Sequence, residues 1–138
     1  MPDWDAGKLE EYRAYWRQRK ARYEAGLAIR RAEGRRLARQ CAELLAARYG
    51  VKRVVLIGSL SGQGNKVHER SDIDLVAEGL PNDRYFSALN ALCHSVPAGW
   101  KLDLIPWEDA DPLLRSAAEK GETLYAQPLQ NPSERAGT

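Results

Sequence analysis

From about Asp5 to Tyr49 the apolar residues keep one period, and at Gly50 that period changes. Leu9, Tyr12, Trp16, Tyr23, Leu27, Leu37, Cys41, Leu44 and Leu45 fall mostly three, four or seven residues apart. That spacing draws a single stripe along a helix of 3.6 residues per turn, with Arg and Glu on the other faces. Gly26 and Gly34 interrupt the pattern, each at about 1 kcal/mol against alanine in a helix interior. The spacing therefore predicts either one very long helix or two helices broken near Gly26. Tyr49-Gly50 ends it, with the glycine as C-terminal cap.

Beyond Gly50 the signals shorten. Residues 52–57 are β-branched and apolar and stop at Gly58, which reads as a short buried strand. The polar, glycine-rich stretch 61–66 is a loop. Residues 72–77 begin with polar–apolar alternation and read as a second strand. Gly79-Leu80-Pro81-Asn82 is a turn, and Asn82 or Asp83 can cap the helix expected over 84–94. Pro97-Ala98-Gly99 breaks the chain, residues 100–106 read as a third strand closed by Pro106, and a last helix runs from about 110 to 120 with Gly121 as its stop. The expected organisation is a helical extension over 1–35, an α/β domain over 36–126 and a loose tail over 127–138. A short mixed β-sheet with helices on one side is the expected core.

Composition narrows the class. At 138 residues the chain has the length of one domain. With 43% hydrophobic and 29% charged residues it can bury a core, which excludes a disordered tail, a collagen-like chain and a disulfide scaffold. No run approaches the roughly 18 apolar residues of a membrane helix. The acidic start Met1-Pro2-Asp3-Trp4-Asp5 is unlike a secretory signal. Cys41 and Cys93 match no metal spacing and read as small core residues. Together these features point to the cytoplasm.

Charge is unevenly spread. Residues 1–50 hold 12 Lys/Arg against 7 Asp/Glu, whereas residues 51–138 hold 9 against 12. The basic half could meet an acidic partner or nucleic acid. Because apolar residues interrupt the run at helical spacing, a solvated helix face explains it as well. His68 reads as an exposed loop residue and His94 as a cation suited to a helix C-terminus. Trp100 and Trp107 could stack on a base or fill the rim of the core. The bulk of Trp4 and Trp16 suggests that the extension packs on something, a second copy included.

The chemistry concentrates at Asp72-Ile73-Asp74. On a strand, residues i and i+2 share a face about 6.5–7 Å apart, which turns both carboxylates outward and Ile73 into the core. Two such carboxylates repel unless a cation lies between them, and Mg²⁺ is the hard, oxygen-seeking choice. Alone, Asp-x-Asp also describes a strand edge facing water. Gly58-Ser59 adds a glycine that lets backbone approach a ligand and a hydroxyl for phosphate oxygens. The loop from Leu60 to Arg70 carries Lys66 and Arg70 for an anion. Asp103 is a lone acid among apolar neighbours, expensive unless paired or metal-bound. If the three strands are adjacent, Asp72, Asp74 and Asp103 converge.

Gly58-Ser59, eleven residues, Ser71-Asp72-Ile73-Asp74-Leu75 and then Asp103 resemble the DNA polymerase β-like nucleotidyltransferase superfamily, in particular its minimal (MNT) members. The resemblance covers about residues 36–126 and includes Gly121-Glu122-Thr123-Leu124-Tyr125, which looks like the family's G-x-x-L-Y ending. It implies a nucleotidyltransferase fold and transfer of a nucleoside monophosphate, AMP first, from ATP or another NTP to an acceptor hydroxyl. It also implies two Mg²⁺ ions, held about 3.5–4 Å apart as such pairs are. Asp72 and Asp74 would bind both metals. Asp103 would bind one and take the acceptor's proton. Gly58, Ser59, Lys66 and Ser71 would hold the nucleotide. Minimal members are often paired with a HEPN-type helical partner in toxin–antitoxin systems, and the acceptor hydroxyl would then lie on that partner.

The sequence departs from the family's G-S-R-A-R-G run. Leu60-Ser61-Gly62-Gln63-Gly64 follows Gly58-Ser59, and the loop to Ser71 is slightly longer. Phosphate grip is therefore altered or moved to Lys66 or Arg70. The altered loop favours a rival reading, a non-catalytic antitoxin or binding module that neutralises a partner by contact through the basic helical half. The complete acid triad favours the enzyme. Nucleic-acid end transfer is a weaker third reading, since the basic residues share their helix with many aromatic ones.

Overall fold

The computed structural model describes residues 6–61 and 72–128. One helix, α1, runs from Ala6 to Tyr49 without a break at either glycine. Its end is as expected: Gly50 adopts φ +64° and donates its N–H to the Ala46 carbonyl at 3.2 Å. Four strands follow, β1 (Arg53–Ile57), β2 (Ile73–Glu78), β3 (Leu102–Pro106) and β4 (Glu122–Ala126), with α2 (Tyr85–Ser95) between β2 and β3 and α3 (Pro112–Lys120) between β3 and β4. The sheet order is β3-β2-β1-β4, with β1 antiparallel to β2 and β4, and β2 parallel to β3. The mixed sheet expected from the sequence is therefore present.

Strand β4 was not among the expected strands. It pairs along the free edge of β1 with an irregularity between Val54 and Val55, and none of its residues is fully buried. Edge pairing of a five-residue segment leaves little pattern to read. At its start, Gly121 is a packing requirement. A Cβ there would lie 2.6 Å from the Leu56 carbonyl oxygen and 2.8 Å from Val55 Cγ1.

Alternation along the strands splits the core into two faces. Val54 and Leu56 of β1, Ile73, Leu75 and Ala77 of β2, and Leu102 and Leu104 of β3 face α1 and α2. From α1 they receive Leu37, Ala38, Cys41, Ala42 and Leu45, and from α2 Ala88 and Leu92. Val55, Ile57 and Val76 face the other way and meet Ala118 and Leu114 of the short α3. The helical backing thus consists of α1 and α2, and α3 covers part of the opposite face. The Asp111 side chain caps α3 by accepting the Leu114 N–H at 2.8 Å, with Pro112 in the first turn. Neither Asn82 nor Asp83 caps α2, because residues Asn82–Arg84 form a 3₁₀ turn ahead of it.

Only the second half of α1 belongs to this core. From Gly34 onward the stripe is buried, whereas Leu9, Tyr12, Tyr15, Trp16, Tyr23 and Ile29 are exposed. Residues 6–29 span about 36 Å at 1.5 Å per residue. Gly34 explains its own presence: a Cβ would come within 2.7 Å of the Trp100 ring and 2.8 Å of Leu60. The Arg30 guanidinium lies over the same Trp100 ring at 3.8 Å, so that indole fills the rim between α1 and β3. Trp107 is likewise occupied, between Arg53 and Arg115 at 4.7 and 4.8 Å. Cys41 is a core residue as expected. Cys93 is not: it is exposed, because it falls on the outer face of α2. No described helix is long and apolar enough to cross a membrane.

Candidate functional site

The acids lie on the sheet face turned away from α1 and α2. Ile73 is fully buried under those helices, so Asp72 and Asp74 on either side of it share the opposite face. The parallel β2–β3 register sets Asp74 directly opposite Asp103. Asp103 lies near enough to act on the Asp74 carboxyl, by its charge and by hydrogen bonding that favours the protonated form. Burial, then the charge of Asp103 and that hydrogen bond, and then the charge of Asp72 push the Asp74 carboxyl up to about 6, with Lys101 opposing. Asp74 thus keeps its proton to a higher pH than an ordinary carboxyl does.

Two features differ from the sequence argument. Asp103 is exposed rather than enclosed by apolar neighbours, since Leu102 and Leu104 point to the other face of the sheet. Its significance rests on pairing with Asp74, not on a buried charge. Among the described residues, moreover, no three His, Cys, Asp or Glu side chains are gathered as a ready-made metal cluster. What the structure does provide is two facing carboxyl groups whose repulsion favours a proton on Asp74, with a third carboxylate near enough to add to it. A divalent cation would take over the proton's role there.

Gly58 borders this pair. It follows β1 with φ +80°, and a Cβ at its position would stand 2.8 Å from Asp74 Oδ2. Both facts require glycine. The chain then forms a 3₁₀ turn, Gly58–Ser61, in which the Ser61 hydroxyl donates to the Gly58 carbonyl at 2.8 Å. Ser59 is half-buried in the same turn. Leu60 is fully buried and packs where Gly34 leaves room. The position at which the family resemblance implies an arginine therefore serves the core here. Arg35 of α1 holds the turn from behind, donating to the Leu60 carbonyl at 3.1 Å and pairing with Glu122 of β4. Lys66 and Ser71, together with His68 and Arg70, lie outside the described residues.

Between this turn and α3 opens a cleft of about 450 Å³. Its walls include Gly58, Ser61, Leu113, Ser116 and Lys120. That volume lies in the range of small-molecule sites, roughly 300–1,000 Å³. Because Gly58 belongs both to the cleft and to the surroundings of Asp74, the cleft adjoins the acid pair. The α3 residues were not among the sequence candidates. Their signal, a serine and a lysine on a short amphipathic helix, is too common to single out without the fold.

No protein-family model matches this sequence, and no curated protein matches it. Solved structures do. One is described as a crystal structure of a toxin–antitoxin with AMP-PNP, at 22% identity and a TM-score of 0.52 over 64% of this chain and 73% of that one. Another is a mutant of the toxin–antitoxin MntA-HpeT in which two aspartates two positions apart are replaced by glutamate, at 20% identity and a TM-score of 0.51 over 65% and 73%. Over about two thirds of its length the chain shares its α/β fold with chains of these toxin–antitoxin structures.

Proposed function

We propose that the chain is a nucleotidyltransferase that moves a nucleoside monophosphate, AMP first, from an NTP to an acceptor hydroxyl. The observation that carries this reading is the Asp74–Asp103 pair beside Gly58 and the cleft. The related structure with AMP-PNP and the mutant altered at an Asp-x-Asp spacing support it.

In this reading the nucleotide lies in the cleft, with its phosphates against the Gly58–Ser61 turn and Ser59, and with Lys66 and Ser71 contributing from the loop. Asp72, Asp74 and Asp103 would hold the two Mg²⁺ ions. These would neutralise charge on the attacking and leaving oxygens of an in-line displacement. The acceptor oxygen forms a bond to the α-phosphorus while the bond from that phosphorus to the β-bridging oxygen breaks, releasing pyrophosphate. Asp103, exposed beside Asp74, is the carboxylate placed to take the acceptor's proton. Residues 36–126 carry this chemistry, and residues 1–35 carry contacts to other molecules.

Calorimetric titration with AMP-PNP, with and without Mg²⁺, tests the proposal on the wild type and on Asp72→Ala/Asp74→Ala. Magnesium-dependent binding that the double variant loses is the expected result. A wild type that binds no nucleoside triphosphate analogue would falsify it.

One observation favours a second reading, an antitoxin that acts by contact on a protein partner such as a HEPN-type toxin. The stripe of exposed Leu9, Tyr12, Trp16 and Tyr23 continues the face that α1 buries against its own domain. Large aromatic residues in that position suit a protein interface, whether with a partner or with a second copy. Full neutralisation of a partner by the Asp72→Ala/Asp74→Ala variant would favour this reading over catalysis.

A further inference from the structure

The described part of the proposed nucleotide site contains acids, a glycine and hydroxyls, yet the site must also hold a polyphosphate tail of several negative charges beside three aspartates. Among the described residues lining the cleft, Lys120 is the one cation. Lys66 and Arg70 lie outside the described residues, and the described arginine nearest the turn is committed elsewhere. Arg35 is engaged by Glu122 and the Leu60 carbonyl, and residue 60 is a buried leucine. Lys120 is exposed and makes no ion pair with a described residue.

Its position is fixed by its neighbour. Gly121 presses its backbone against the end of β1, where a Cβ would meet the Leu56 carbonyl oxygen, Val55 and Ile57. The Gly121 N–H closes the helix on the Ala118 carbonyl at 3.1 Å. The last turn of α3 is therefore pinned beside Ile57-Gly58, and Lys120 is carried to the end of the cleft that Gly58 borders. A lysine ammonium is a compact point charge on a flexible stem, suited to a phosphate group whose exact position varies.

We propose that Lys120 anchors the distal phosphates of the bound nucleotide, so that the cleft discriminates by polyphosphate length. This rests on the nucleotidyl-transfer reading of the same site. The alternative role for a lysine in the last turn of a helix is to complement the helix dipole. That role predicts no dependence on the number of phosphates.

The test measures affinity for AMP-PNP with Mg²⁺, and for AMP, in the wild type, Lys120→Met and Lys120→Arg at one fixed salt concentration. The expected result is a loss of about 10- to 100-fold in AMP-PNP affinity for Lys120→Met, the range of a charge-assisted hydrogen bond. Lys120→Arg restores most of it, and AMP affinity is the same in all three proteins. Unchanged AMP-PNP affinity in Lys120→Met overturns the assignment while leaving nucleotidyl transfer standing. Equal losses for AMP-PNP and AMP overturn it as well, since they indicate damage to the helix rather than a lost phosphate contact. A wild type with no affinity for AMP-PNP overturns this assignment and the nucleotidyl-transfer reading together.

Discussion

Asp74 and Asp103 stand opposite each other in the parallel β2–β3 register, near enough for Asp103 to favour a proton on Asp74. Burial and the neighbouring charges raise Asp74 from 3.8 to about 6. A carboxyl whose pKa is raised in the fold binds more protons there than in the unfolded chain. Its contribution to stability is fully present below about pH 4 and is lost as pH rises through about 6. Asp74→Asn removes the ionisation but keeps a donor toward Asp103. The stability difference between Asp74→Asn and wild type is expected to be near zero at pH 4. Above pH 6.5 it levels off in favour of the variant, at about 1–2 kcal/mol once solvent screening of a half-buried group is allowed for. Urea titrations of both proteins across pH 4–8, without divalent cations, check this. A difference independent of pH would contradict it.

A cation that replaces the proton on Asp74 reverses that preference. With Mg²⁺ in excess at pH 7.5 the wild type should gain stability, by about 2.7 kcal/mol when free Mg²⁺ is 100-fold above its dissociation constant. Asp74→Asn and Asp103→Asn should gain less, because each loses a carboxylate ligand. Thermal unfolding with increasing MgCl₂, against NaCl of equal ionic strength, separates specific binding from screening. Equal responses of wild type and variants would remove the carboxylates as a cation site.

The two glycines of α1 should respond oppositely to alanine. Gly34 has no room for a Cβ, which would intrude to 2.7 Å on Trp100 and 2.8 Å on Leu60. Gly34→Ala forces those side chains to shift, and overpacking of this kind costs about 1–3 kcal/mol. At Gly26 nothing lies within 4 Å, so Gly26→Ala is expected to add helix propensity of about 1 kcal/mol. That gain is local. It should appear as slower amide exchange in residues 20–30, with little change in the unfolding midpoint of the domain.

These glycines also show how far the sequence could be read. The stripe from Leu9 to Leu45 identified the helix, but the stripe itself does not mark the change from exposed to buried at Gly34. An apolar stripe has the same period whether or not anything covers it. Strand β2 and its acids were legible because alternation around Ile73 admits one arrangement. Convergence of Asp103 on Asp74 required the parallel pairing of β2 with β3, which no local pattern encodes. The argument from an expensive buried charge at Asp103 failed for the same reason. Apolar neighbours at 102 and 104 mark the face they occupy, not the one between them. The edge strand β4, and the use of α3 as a cleft wall, depend on contacts between segments far apart in the chain. Lys120 therefore gave no signal of its own.

The division of α1 yields a prediction about where its stability resides. Leu45 is fully buried between α1 and the sheet, whereas Trp16 is 46% exposed on the projecting half. Leu45→Ala removes a side chain from a packed core and should cost about 2–5 kcal/mol. Trp16→Ala removes a larger side chain but leaves no cavity in that core. The contacts of Trp16, with the Tyr12 and Tyr15 rings and the Arg19 guanidinium, all lie within the projecting part of α1, so the variant's effect on the unfolding midpoint, with the chain dilute enough to be alone, should be within about 0.5 kcal/mol. Any larger effect of Trp16→Ala should grow with protein concentration or with an added partner, because only a second molecule can bury the ring. A destabilisation by Trp16→Ala that is large and independent of concentration would mean that the projecting half of α1 packs on its own domain in solution. The stripe would then be unavailable for docking, and the contact-only antitoxin reading would lose the observation that favours it.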